Sequence, residues 1–450
     1  MINTARRALR GIGLASVLAL SLSLSLTACG GPSDDSGGDG ANGAAGVEAA
    51  LDKGGTLTVW AWEPTLKRVV KDFEAAHPKV KIKLVNAGTH DDQYTALQNA
   101  VSAGKGVPDV AQIEYYALGQ FSLAKSISDL SGFGADKLAD TYSPGPWNAV
   151  KSGKGVYALP MDSGPMALYY NKKVFDRHGI EVPDTWDGYV EAAKKLHEAD
   201  PKVYITNDAG DAGFTTSMIW QAGGRPYQVD GTKVSIDFSD AGSTAYATTW
   251  QRLIDDKLLA PITSWSDEWY KGLADGTIAT LATGAWMPAN LMSGAPGGSG
   301  SWRVAPLPRW KTGEASSAEN GGSALAVPEA SGDKALAYAF IEYANAGAGV
   351  KSRIKEGAFP ATTADLTSKD FLDTKFDYFG GQQANKVFST SASEVADDWS
   401  YLPFQVYANS VFNDTVGKAY ASGTRLTQGL ADWQKASRTY GTDQGFTVSE

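Results

Sequence analysis

The chain has 450 residues, 43% hydrophobic and 20% charged, the balance of an ordinary soluble globular protein with room for two or three domains. A formal charge of −10 gives no footing for nucleic acid or a basic-patch membrane dock, and the scattered histidines His77, His90, His178 and His197 have no second ligand at metal spacing, so neither metal nor cofactor is expected. One cysteine excludes an intramolecular disulfide, and 13 Trp, 19 Tyr and 15 Phe exceed the needs of the core, so some of them should line a binding surface.

In chain order, Arg6, Arg7 and Arg10 precede an apolar, serine-diluted run from Gly11 to Leu26, the pattern of a signal peptide over residues 1–28. The run is shorter than the roughly 20 apolar residues of a membrane-spanning helix. Leu26-Thr27-Ala28-Cys29 looks like the lipobox of bacterial lipoproteins, in which Cys29 would carry the lipid anchor. Residues 29–51, rich in Gly, Ser, Asp, Asn and Ala, read as a flexible tether because they lack the apolar surface to fold.

Beyond the tether, Leu57-Thr58-Val59-Trp60 alternates as a strand, and Leu66, Val69, Val70 and Phe73 recur at helical spacing. Val80, Ile82 and Leu84 then alternate with Lys79, Lys81 and Lys83, completing a β-α-β unit. Tyr94, Leu97 and Val101 mark a helix closing near Gly104, and residues 108–113 enter another strand. Later helices carry Trp186, Tyr189, Val190, Ala193 and Leu196 behind a cap at Asp184 or Thr185; Tyr246, Trp250, Leu253 and Ile254; and Leu336, Ala339, Phe340 and Tyr343. Repeated strand-helix alternation predicts α/β domains.

Several separated motifs then match one family. Gly55-Thr56-Leu57-Thr58-Val59-Trp60, Phe73-Glu74-Ala75-Ala76-His77-Pro78, Ala103-Gly104-Lys105-Gly106-Val107-Pro108-Asp109-Val110, Leu168-Tyr169-Tyr170-Asn171-Lys172, the segment from Gly276 to Trp286, and Gly321-Gly322-Ser323-Ala324-Leu325-Ala326-Val327-Pro328 occur in the family's order. From about Gly54 to Val448 the chain resembles the extracellular solute-binding proteins of carbohydrate ABC importers, the maltose-binding-like group. The resemblance implies an α/β, two-lobed periplasmic-binding-protein-like (type II) fold with a hinge and an interlobe cleft. It places lobe 1 at 52–168 and 322–361, and lobe 2 at 169–321 and 362–450. It also implies a monomer without enzymatic activity, partnered by a di- or oligosaccharide, by the importer's permease subunits and, through the anchor, by the outer face of the cell membrane.

A sugar presents hydroxyls at its edges and C–H patches on its faces, so its site needs flat aromatic rings together with carboxylates or amides. Ligands of such sheets sit beyond strand C-terminal ends, which singles out Trp62 and Glu63 after the first strand and Glu114 and Tyr115 after the third. The resemblance adds Asp162 at the first crossing as a polar contact, Trp286 as a stacking platform, and Asn320 and Gly321 at the return crossing, where glycine lets backbone approach a ligand. Two readings compete. A secreted glycoside hydrolase would also combine tryptophans with a carboxylate pair roughly 5 to 10 Å apart, although no Gly-x-Ser-x-Gly elbow or other hydrolase motif is present. A binding protein for a non-sugar solute would share the architecture but would want arginines or clustered acids at the mouth.

Overall fold

A computed structural model describes residues 43–311, 316–396 and 398–449. The signal peptide, Cys29 and the tether as far as residue 42 lie outside the described residues. The end of the expected tether is helical: Ala44–Lys53 forms a helix that buries Val47 and Ala50 beside Lys334–Asn345. Alanine is the strongest helix former, and Val47 and Ala50 stand three apart on one face, enough to dock a short helix that composition alone reads as flexible.

The first sheet has the order Val80–Val85, Gly55–Trp60, Val110–Glu114, Ser323–Ala326, Leu159–Pro160. Its first three strands are parallel, with Leu57 opposite Ile82 and Val59 opposite Val110. Parallel neighbours require crossover helices, here Leu66–Ala76 and Asp91–Ala103. The return strand Ser323–Ala326 runs antiparallel to both of its neighbours. Leu57, Val59, Val110, Ile113, Leu325 and Phe340 lie fully buried in this core.

A second sheet, Thr280–Gly284, Met166–Asn171, Trp302–Ala305, is antiparallel and anchors two further cores. One is built on Trp186, Tyr189, Trp250 and Trp433, the other on Tyr169, Trp302, Phe379 and Phe388. The chain passes between the two halves at residues 162–165 and 319–322 and beside Pro360, which bridges to Asp162. Met166 and Leu168 pack in the core built on Trp186 and Trp250.

Candidate ligand-binding cleft

The C-terminal ends of the parallel strands form one wall. The buried Gln112 accepts the backbone N–H of both Trp62 and Glu63 at 3.1 Å and donates to the Ser323 hydroxyl at 3.0 Å, tying the loop after the first strand to the return crossing. Trp62 lies 5.6 Å from the His90 ring and 6.3 Å, edge-on, from Tyr94. Glu114 accepts the Tyr94 hydroxyl at 3.1 Å and has His90 Nε2 at 3.4 Å. His90 itself is exposed and held at φ 50, a backbone region that side chains other than glycine's enter at a cost. Trp62, Glu63 and Glu114, all expected site residues, therefore share this wall.

The opposite wall belongs to the second half. Asp211 caps the helix Ala212–Gln221 by accepting the Phe214 N–H. Its carboxyl is held above the usual range by desolvation, with the His90 charge opposing that shift and the Glu114 charge adding to it. Both of those groups stand on the first wall, near enough for their charges to act on Asp211. The loop beneath is fixed by Asp208, which accepts Gly210 N–H at 2.8 Å, Trp250 Nε1–H at 2.8 Å and the Tyr420 hydroxyl at 2.9 Å. Desolvation pushes the Asp208 carboxyl up to about 6.

Trp286 is half-buried on this wall, and its indole N–H donates to the Asn320 carbonyl at 2.7 Å. A Cβ on Gly284 or Gly321 would stand 2.3 Å or 3.1 Å from the indole nitrogen, so two glycines allow the ring's edge to press on backbone. Gly321 also has φ 74, which glycine adopts without strain. The Asn320 side chain accepts from Thr283 at 3.1 Å and donates to Ser217 at 3.2 Å, which sets it into the second wall. Trp286, Asn320 and Gly321 thus lie together.

Two expected contacts have other partners. The Asp162 carboxylate accepts the Ser323 N–H at 2.6 Å, and the Tyr115 hydroxyl donates to the Asp162 carbonyl at 2.6 Å with its ring against Gly322. Asp162 ties two crossings together and Tyr115 packs under them, because an acceptor beside a free strand N–H is claimed by it before any ligand arrives. Burial raises Asp162 to about 6 against the opposing charge of Arg353, and raises Glu319, which accepts Ser163 Oγ–H at 2.9 Å, to about 7. Tyr115 also borders a separate interlobe groove of about 580 Å³ running past Tyr116, Asn148, Trp220 and Tyr401. Gln382 clasps both backbone groups of Val304, accepting its N–H at 2.9 Å and donating to its carbonyl at 2.7 Å.

Sequence reasoning did not single out Asp211 or Trp265, and weighed His90 only as a metal ligand, whereas the structure sets its ring 5.6 Å from Trp62 and its Nε2 3.4 Å from Glu114. The turn-rich run Asn207-Asp208-Ala209-Gly210-Asp211 and the capped Trp265-Ser266 junction were the available signals. Among the described residues, no cluster of three His, Cys, Asp or Glu could hold a metal, and no helix is long and apolar enough to cross a membrane.

Two α/β halves joined by adjacent crossings define the two-lobed binding-protein class. Within that class the chain belongs to the bacterial extracellular solute-binding protein family, whose profile matches residues 61–350. Membership places its work outside the cytoplasm. Among solved structures, it is similar to the ABC transporter associated binding protein of B. animalis subsp. lactis in complex with β-1,6-galactobiose, at 46% identity and TM-score 0.83 over 88% of this chain and 99% of that one. It is also similar to the galacto-N-biose-/lacto-N-biose I-binding protein of the ABC transporter from Bifidobacterium longum, in complex with lacto-N-biose, at 26% identity and TM-score 0.76 over 88% and 99%. Among curated relatives, the lactose-binding protein of Rhizobium radiobacter is 27% identical over 74% of this chain and 81% of its own length.

Proposed function

We propose that the protein is the substrate-capturing component of an ABC sugar importer and takes a galactose-containing di- or oligosaccharide into the cleft between its lobes. The observation that carries this reading is the arrangement of the two walls. Trp62 and Glu114 stand on one lobe and Trp286 and Asp211 on the other, so a sugar meets rings for its faces and acceptors for its hydroxyls only when both lobes engage it. The choice of sugar is supported by three relatives, whose ligands are β-1,6-galactobiose, lacto-N-biose and lactose.

On this reading, lobe 1 comprises about residues 43–161 with 323–361 and lobe 2 the remainder of the described chain, with the three crossings as hinge. Contacts from both lobes favour the closed state, and the closed, loaded form is what the permease receives. The protein binds without turnover, as a monomer held at the membrane by a lipid on Cys29.

Calorimetry with β-1,6-galactobiose, lactose and maltose tests the reading. Saturable binding of a galactoside that is recovered intact afterwards is expected. Binding of none of the three, or hydrolysis abolished by changing one carboxylate, would overturn it. Cys29→Ala should release the protein from membranes without altering that affinity.

A further inference from the structure

Glu319 carries a carboxylate into the hinge. Its two oxygens accept the Ser163 hydroxyl at 2.9 and 3.1 Å, one of them also accepts the Gly164 N–H, and its carbonyl accepts the Ser217 hydroxyl at 2.8 Å. One residue of the second crossing thus holds the first crossing with its side chain and lobe 2 with its backbone. It is only 6% exposed, and burial raises its carboxyl to about 7, with the Asp162 charge adding to that rise and the bonds from Ser163 and Gly164 opposing it. Tyr115, on the helix Tyr115–Leu123, and Tyr401, ahead of the helix Gln405–Ser410, also feel its charge, but burial holds both hydroxyls well above the neutral range. Arg353 acts on Asp162. The helices Pro144–Ala149 and Ala212–Gln221, which approach Glu319 through Gly145 and Ser217, carry no titratable side chain.

Glu319 and Ser163 line the interlobe groove of about 580 Å³, together with Tyr115, Asn148, Trp220 and Tyr401. On both lobes the groove is set off from the candidate cleft. In lobe 2, Asp211 caps the start of the helix Ala212–Gln221, whereas Trp220, which borders the groove, lies roughly 13 Å further along at about 1.5 Å per residue. In lobe 1, Glu114 ends its strand at the cleft wall, and Leu118 and Ser122 of the helix that follows border the groove. The crossings pass between the two spaces: Asn320 and Gly321 meet Trp286, while Glu319, one residue earlier, borders the groove.

We propose that sugar capture is linked to the loss of a proton from Glu319: the rotation about the crossings that narrows the cleft widens the groove and lets water reach the carboxylate. The proposal rests on the sugar-binding reading above and adds to it a dependence on pH. Hydration favours the charged form, so the loaded protein holds this proton less tightly than the empty one, and the proton passes to the solvent. A state that binds fewer protons gains as pH rises, so affinity is greatest above the carboxyl's range and falls as pH drops through it. Lowering the carboxyl from about 7 to about 6 corresponds to the loss of about 0.4 proton per sugar at pH 7, and to binding about fivefold tighter at pH 8 than at pH 6.

Calorimetry of the full-length protein with β-1,6-galactobiose and lactose, in phosphate and in Tris at pH 7, counts the protons, because the buffer that takes them up adds its own heat of ionisation. Wild type should release about 0.4 proton, and its affinity should rise about fivefold from pH 6 to pH 8. Glu319→Gln keeps an acceptor for Ser163 and Gly164 but cannot ionise, so it should release none, with affinity constant within about twofold over the same range. Equal heats in the two buffers for a wild type that binds overturn the proposal alone, as does proton uptake, and neither result depends on the variant folding. Release that persists in a folded Glu319→Gln protein assigns the proton to another group and overturns it too. Wild type that binds neither sugar removes the sugar reading and the proposal with it.

Discussion

Lobe 2 uses tryptophan in two ways, within one lobe and in one residue type. In its core, Trp186, Trp250 and Trp433 are at most 1% exposed, and each indole N–H has a partner at 2.6–2.8 Å: Gln221, Asp208 and the Ala408 carbonyl. At the cleft, Trp286 also satisfies its N–H but stays half-buried, and Trp265 is half exposed on strained backbone. Folding alone explains the first set, because burial with a satisfied donor is what a large amphipathic ring contributes to a core. It does not explain the second, whose exposure and strain persist only because the surrounding hydrogen bonds impose them.

Truncation should separate the sets most sharply at Trp433. Removing a fully buried indole that stacks on Phe238 at 5.0 Å and meets Phe412 at 5.1 Å leaves a large cavity. Trp433→Ala should cost about 3 to 5 kcal/mol of folding stability in urea titration, while the molecules that remain folded bind sugar unchanged. A loss under about 1 kcal/mol would show that the core collapses around the gap and that the contrast is weaker than burial implies.

Trp286→Ala should do the opposite, at a smaller scale. Stacking removes perhaps 80 Å² of apolar surface from water, about 2 kcal/mol at about 25 cal/mol per Å². Affinity should therefore fall roughly ten- to a hundredfold. Melting without sugar should shift less than for Trp433→Ala, since the ring is only half-buried and gives up contacts with Trp265, the Asn320 carbonyl, the backbone at Gly284 and Gly321 and the edge of the third core. A large drop in melting temperature with affinity intact would move Trp286 into the packing set.

Periodicity made the core set legible in sequence. Trp186 with Tyr189, Val190, Ala193 and Leu196, and Trp250 with Tyr246 and Leu253, fall on single helix faces, all buried as the spacing predicts. The parallel strands were legible for the same reason. The cleft set has no such signal, because a binding surface is assembled from loop residues far apart in the chain. Trp286 was reached through the family's glycine-rich strand end, whereas Trp265 lies between Pro261 and Ser266 in a stretch with no period. Asp162 shows the limit of the sequence, because a carboxylate after a crossing motif reads the same whether or not a neighbouring strand N–H bonds to it; the bond to Ser323 is visible only in the structure. The helix Ala44–Lys53 was lost to composition, since its docking partner lies nearly 300 residues further along.

The smallest expected effect lies where the two sets meet, at Asp208, which holds the core Trp250 with one oxygen and the cleft loop at Gly210 with the other. Desolvation raises its carboxyl from 3.8 to about 6, so the folded protein holds this proton more tightly than the unfolded chain does. For an acid shifted upward, the stabilising contribution is complete below about pH 4 and is lost as pH rises through about 6. At 1.36 kcal/mol per unit the ceiling is about 3 kcal/mol. Asp208 keeps some contact with water, however, and screening should reduce the observable effect to about 1 kcal/mol. Asp208→Asn keeps an acceptor for Trp250 and Tyr420 but cannot ionise. Relative to wild type, its stability in urea should therefore gain about 1 kcal/mol between pH 4 and pH 7. Parallel stability-pH curves for the two proteins would show that Asp208 ionises normally. If sugar affinity stays constant while the slope changes, core and cleft are energetically separate at this bridge. A concurrent loss of affinity would mean that the loop bearing Asp211 draws its shape from the Trp250 core, and that the two uses of tryptophan in this lobe are coupled through one carboxylate.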